Sequence, residues 1–280
     1  MSLFTPFAIF TGGKDADATA YINAVISAGG TLSDGNKIAI NTFFVDLKNI
    51  GVYSKMIAFW PIMGGTANSH AINGNLNSTY DLTYFGTWTH NSSGQKPNGA
   101  SGTYANTHYV IPTGYTGSGA ADNLSFGLYI NDITGTAPSY ELDMGVRIPD
   151  PDNTHIYWIG AKWGATNTAR YSQQNNGPHN GNFTNVGNGQ YMISRTASNL
   201  FRLYENGVNT QNLGASHTSD LGSGGYSFYL GALATGTANQ FNSFYRQCFS
   251  FISSGLDNTE SINLQTAIND LQTSIGRNTY

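Results

Sequence analysis

Charge is the scarcest property of this chain. Charged side chains make up 10% of its 280 residues, against about 25% in an average soluble domain. Twelve cations face sixteen anions, for a net charge of −4. A field that weak, and negative overall, excludes a protein that tracks the phosphates of nucleic acid. Cysteine is nearly missing too. Cys248 is the only one, set in the apolar run from Phe244 to Ile252, so no disulfide can form within the chain; a buried, inert thiol is expected there. No apolar run approaches the roughly 20 residues needed to cross a bilayer, which argues against membrane insertion. The segment from Met1 to Phe10 is apolar, but it lacks a basic start, is broken by Pro6 and ends at no convincing small-residue cleavage site. No signal peptide is expected there.

What replaces charge is a surface chemistry of amides, hydroxyls and rings. There are 34 glycines and 13% aromatic residues. Such a surface offers neutral hydrogen-bond donors and acceptors with little electrostatic pull. The length suffices for one large β-domain or two smaller ones, with a core that needs no disulfide or metal staple.

Two helices come first. Ala18, Tyr21, Ile22, Val25 and Ile26 follow the spacing of one apolar helical face. Asp15 or Asp17 can cap that helix, and Gly29-Gly30 supply its left-handed stop. A second helix runs from a Ser33 or Asp34 cap to about Asn49, with its stripe at Ile40, Phe43, Phe44, Leu47 and Ile50. The short link predicts a helical hairpin over residues 15–51.

After Gly51 the texture changes to short β-branched and aromatic segments between Gly/Asn/Ser/Thr clusters, the spacing of a sandwich. Strands are expected at 56–60, 107–111, 124–131, 140–148, 155–163, 170–174, 190–195, 200–205, 226–233 and 245–252. Asn206-Gly207 is the strongest hairpin turn, because both residues tolerate positive φ. The Asn/Gly stretches Gly64–Asn77 and Asn175–Asn188 read as surface loops. A closing helix is signalled by Asp257 with Glu260 three residues on, an apolar stripe at Leu264, Ala267, Ile268, Leu271 and Ile275, and Gly276 as its stop. Helices at both ends with only β-structure between them exclude a parallel α/β sheet. The division expected is an arm over 1–14, the helical hairpin over 15–51 and a jelly-roll over 52–280 with its closing helix.

Few motifs carry chemistry. Several jelly-roll glycoside hydrolases set three carboxylates at alternate positions of one strand, so that one attacks and another donates a proton. Glu141-Leu142-Asp143-Met144 begins such a series, but Gly145 and Val146 stand where the third acid belongs. Without a general acid, help of about 10²–10⁴-fold is lost; no catalytic residue is assigned and no enzyme is expected. His70, His90, His108, His155, His179 and His217 show no metal-ligand spacing. Asp150-Pro151-Asp152-Asn153 could offer oxygens to calcium but has the composition of a turn. No cofactor is expected.

Aromatics are the remaining signal. Sugars stack their C–H faces on rings while amides and backbone groups take the hydroxyls. Trp163, Tyr171 and Gln173 fit that chemistry, and Trp88 with His90 pose the same choice between core and ligand platform. The arm bearing Leu3, Phe4, Phe7 and Phe10 needs a partner surface: its own sandwich, a particle or a second copy.

Two series of motifs look familiar. The first is Asp15-Ala16-Asp17-Ala18, Val45-Asp46-Leu47-Lys48, the stretch from Lys55 through Trp60-Pro61 to Ala67, then Trp88-Thr89-His90 and Gly94-Gln95-Lys96-Pro97-Asn98-Gly99. The second is Phe201-Arg202-Leu203-Tyr204-Glu205-Asn206-Gly207, Phe228-Tyr229-Leu230-Gly231-Ala232, and Phe251 through Asp257 to Arg277. Their order resembles bacteriophage structural proteins with a concanavalin A-like (laminin G-like) lectin/glucanase domain. The resemblance implies a mainly β, concanavalin A-like jelly-roll antiparallel sandwich with an N-terminal helical hairpin and a C-terminal helix. It also implies a virion surface protein (fibre, decoration or tail component) synthesised in the host cytoplasm without a signal peptide. The partners it implies are other virion proteins, further copies in a homo-oligomer, and host-surface polysaccharide. A jelly-roll glycoside hydrolase or depolymerase and a cellular lectin or adhesin are the alternatives.

Overall fold

The computed structural model describes residues 13–111, 123–134, 141–148, 155–163, 168–173, 181–182, 187–197, 200–213, 226–235 and 239–278. The arm residues Leu3, Phe4, Phe7 and Phe10, the turn Asp150–Asn153 and most of Asn175–Asn188 lie outside them. The helices are α1 (Ala16–Ser27), α2 (Asp34–Asn49), α3 (Ala67–Ala71) and α4 (Asn258–Ser274). The strands begin with β1 (Met56–Trp60), β2 (Thr83–Phe85), β3 (Trp88–Asn91), β4 (Gly94–Pro97), β5 (Tyr104–Val110), β6 (Leu124–Asp132), β7 (Met144–Ile148) and β8 (His155–Trp163). They continue with β9 (Thr168–Gln173), β10 (Gly181–Asn182), β11 (Gly189–Ala197), β12 (Leu200–Glu205) and β13 (Val208–Leu213). The last are β14 (Ser227–Leu230), β15 (Leu233–Ala234), β16 (Asn239–Gln240) and β17 (Arg246–Ser253).

The three long helices start where the sequence says. Asp15 accepts the amides of Asp17 and Ala18, and Ser33 and Asn36 exchange side-chain and backbone bonds in a capping box. Asp257 and Glu260 do the same at α4. Each box satisfies amides that a helix start leaves without partners. Lys48, near the end of α2, reaches back to the carboxylates of Asp15 and Asp17 at 2.7 Å and pins the hairpin shut.

The strands form two sheets. The first runs β13-β12-β11-β6-β17-β4-β3, with β1 also paired to β17; the second runs β10-β9-β8-β7-β14-β5-β2, with β15 and β16 attached at β7. Pairing is antiparallel except for the short β15–β7 contact. Between the sheets lies one apolar core, including Trp60, Phe126, Tyr157 and Phe228. A second core seals the outer face of the first sheet under α1, α2 and α4. Phe43, Phe44, Phe59, Phe249 and Phe251 mesh there with ring centroids 5.5–6.4 Å apart. The architecture is therefore the expected jelly-roll sandwich with its N-terminal helices and C-terminal helix, built as three layers. Cys248 is fully buried in the second core, and burial pushes its thiol up to about 12. Asn206 and Gly207 turn β12 into β13 with φ of 52° and 79°.

Two expectations need correction. Gly64–Asn77 is no solvated loop: it contains α3, and Asn73 within it is fully buried. The Asn73 side chain accepts the amide of Phe59 at 3.0 Å, taking the place of a missing ladder partner for β1. The strand expected from Tyr140 starts only at Met144. Leu142 instead bridges to Asn242, which swings Glu141 and Asp143 off the sheet and into the interior.

Candidate functional site

Helices cover the outer face of the first sheet, so the outer face of the second is where a ligand could meet strands directly. Alternation on β5 and β14 is clean there. Ala105, Thr107, Tyr109, Phe228 and Leu230 point inward and are buried; Tyr104, Asn106, His108, Ser227 and Tyr229 point outward. Edge strand β2 places Phe85 opposite Tyr104. Three rings from three strands thus stack: Phe85 on Tyr104 at 4.6 Å and 16°, then Tyr104 on Tyr229 at 4.1 Å and 19°. The crest shows ring edges. Phe85, on the sheet's last strand, is 41% exposed. Partial burial, with the neighbouring Tyr104 hydroxyl, pushes the Tyr229 phenol up to about 12, so its hydroxyl is a neutral hydrogen-bonding group at ordinary pH. Thr83 and His108 are joined at 2.8 Å on the same face.

Trp88 stands beside this ladder on β3, where the chain crosses from one sheet to the other. Its indole N–H donates to the Phe85 carbonyl at 3.1 Å. Its ring leaves no room for a side chain at Gly231, whose Cβ would come within 2.9 Å of it. Trp88 and His90 are brought together as the sequence grouping expected, but with Tyr84 between them, its ring 5.3 Å from Trp88 and 4.7 Å from His90. His90 then meets His70 of α3, Nδ1 to Nδ1 at 3.0 Å. The other nitrogen of His70 accepts the Gly65 amide at 3.1 Å, so the His70 proton sits on Nδ1 and is donated to His90. Both imidazoles are neutral. Burial pulls His70 down to about 2, helped by its histidine neighbour, and His90 down to about 4. The pair fastens α3 to the hairpin of β3 and β4.

Trp163, Tyr171 and Gln173 are placed by backbone register alone. Trp163 pairs with Thr168, Tyr171 with Ile159 and Gln173 with Tyr157. Ile159 and Tyr157 belong to the core between the sheets. The side chains of the three candidates lie outside the described residues.

The carboxylates Glu141 and Asp143 are 1% and 0% exposed. Asp143 accepts the Ala161 amide at 2.7 Å and the Ser243 hydroxyl, and its backbone carbonyl takes the amides of Gly231 and Gln247. Burial pushes it up to about 6. These contacts make Asp143 a brace between β17 and the second sheet. Among the described residues no three His, Cys, Asp or Glu side chains gather as for a metal ion, and no helix is long and apolar enough to cross a membrane.

No family model matches the chain, and no curated protein sequence does. Solved structures are similar in fold. Domain 4 of AbnA, a GH43 extracellular arabinanase from Geobacillus stearothermophilus in complex with arabinotriose, is 14% identical with a TM-score of 0.48; the match covers 75% of this chain and 98% of that one. Trypanosoma rangeli sialidase in complex with 2,3-difluorosialic acid is 13% identical with a TM-score of 0.47, over 82% of this chain. The chain spans only 38% of that sialidase. The CBM40 of Ruminococcus gnavus IT-sialidase bound to alpha2,3 sialyllactose is 9% identical with a TM-score of 0.40, over 50% of this chain and 81% of that one.

Proposed function

We propose that this chain is an adhesive lectin-like protein of a bacteriophage particle surface, which holds glycan on the outer face of its second sheet. The observation that carries the adhesive part is the ladder of Phe85, Tyr104 and Tyr229, which ends in the exposed Phe85 on an edge strand. A sugar packs its C–H face on Phe85 while neutral groups nearby, Thr83, Asn106 and the tyrosine hydroxyls, take its own hydroxyls. Little charge is needed for such binding, in keeping with the composition. One ring face holds one sugar weakly, so several copies side by side suit the role, since linked sites gain avidity of about 10²–10⁴-fold. The virion assignment is supported by the ordered motif series from Asp15 to Arg277 and by the uncharged exterior.

Binding is tested on a glycan array displaying the chain multivalently, followed by titration of the best glycan. Phe85→Ala is expected to weaken that binding about tenfold, equivalent to about 1.4 kcal/mol. Unchanged affinity in Phe85→Ala would place the site elsewhere; release of reducing ends from the bound polysaccharide would replace adhesion with hydrolysis. Mass spectrometry of purified particles tests the virion assignment, and absence from every particle fraction overturns it.

A further inference from the structure

A cavity of about 470 Å³ lies between the start of α2, the Met63–Gly65 bend, the β3–β4 turn and the end of α4. Its polar lining comes from Thr31, Ser33, Asn36, Ser92, Ser93 and Arg277, and no acidic residue contributes. Arg277 is unusual. It is only 7% exposed, yet among the described residues no carboxylate pairs with it. Two carbonyls hold it instead: Ser92 accepts from Nε at 2.7 Å, and Ile62 accepts from Nη1 at 3.0 Å. Ile62 adopts φ of 51° in giving that bond, a conformation rare for a β-branched residue.

Carbonyl oxygens satisfy N–H groups without neutralising the charge. A guanidinium has five donors in a rigid fork, and two are used here. A buried cation with spare donors is costly unless an anion completes it. Hydroxyls and an amide surround the opening. The first turn of the 16-residue helix α2 adds its positive end, which favours negative charge. We propose that this cavity binds an oxyanion, with the Arg277 fork as its cation and Ser33, Ser92, Ser93 and Asn36 as neutral hydrogen-bonding partners. This site is separate from the aromatic ladder and stands whether or not that ladder holds sugar. The oxyanion belongs either to a free inorganic ion or to a sugar acid, for which the cavity has room.

The experiment is calorimetry on the full chain with sodium sulfate, sodium phosphate and sodium glucuronate, against sodium chloride and neutral glucose at matched ionic strength. Saturable binding of at least one oxyanion, with none of chloride or glucose, is expected. Preference for sulfate or phosphate identifies the free ion; preference for glucuronate identifies the sugar acid. Arg277→Lys keeps the charge but loses the fork, and should weaken binding at least about tenfold. Because Arg277 also ties three segments together, Ser93→Asp provides a second arm: it adds an anion at the exposed rim, touches no core residue and should abolish binding. No saturable binding by any of the three anions, or equal affinity in Ser93→Asp, overturns the proposal.

Discussion

The two sheets of this protein do different work. The central strands of the first are buried on both faces, by the sandwich core inside and by α1, α2 and α4 outside. The second has its inner face in the same core, but its outer face carries half-buried tyrosines and an exposed phenylalanine. Rings over the first sheet mesh at mixed angles, from 23° to 86°, in a closed cluster. Those of the second stack in a row that ends in solvent. One sheet is therefore a foundation and the other a surface, and identical residue types acquire different roles from which layer lies over them.

That contrast can be broken by mutation. The largest effect belongs to the foundation. Phe249→Ala empties a fully buried site facing Phe43 and Phe59, and should cost about 3–5 kcal/mol in denaturant unfolding. Next comes the brace between the layers. Asp143 is raised in the folded state from 3.8 to about 6, so its contribution is present at low pH and lost as pH rises through about 6. Asp143→Asn keeps an acceptor for Ala161 and a donor for Ser243. It should flatten stability between pH 4 and about 6 and raise it at pH 7, with a ceiling of about 3 kcal/mol, read from unfolding curves across that range.

The histidine pair runs the other way. Both groups are depressed, so their stabilisation is present above 6.5 and lost as pH falls, through about 4 for His90 and about 2 for His70. In His90→Gln the acid unfolding midpoint should move to lower pH. The smallest stability effect belongs to the surface: Phe85→Ala should change unfolding free energy by no more than about 0.5 kcal/mol, while removing the exposed ring. A loss above about 2 kcal/mol would show that Phe85 is part of the core after all, and would dissolve the distinction between the sheets.

Local signals were legible and long-range ones were not. The caps at Asp15, Ser33 and Asp257 and the turn at Asn206-Gly207 involve residues at most three apart, so their chemistry is written in the sequence. The ladder is different. Phe85, Tyr104 and Tyr229 become neighbours through the pairing of β2, β5 and β14, and nothing in the flanks of any one ring announces the other two. The spacing in the sequence groups Trp88 with His90 but shows neither the ring between them, Tyr84, nor the partner histidine, His70. His70 lies in a stretch whose glycines and asparagines look solvated, and Asn73 there is buried because its amide stands in for backbone. Arg277 gave no signal at all: its setting depends on carbonyls from Ile62 and Ser92.

The position of β17 has a consequence for how the molecule is made. This strand lies in the middle of the first sheet, hydrogen-bonded to β6 on one side and to β1 and β4 on the other. Its residues, Arg246–Ser253, nevertheless follow β6 by more than a hundred residues and β1 by still more. At roughly 5–20 residues per second, β1 and β6 wait many seconds for the strand that joins them. A nascent chain halted before Arg246 would leave unpaired the edges of β1 and β6 that β17 joins, and an unpaired edge is a template for pairing with another chain.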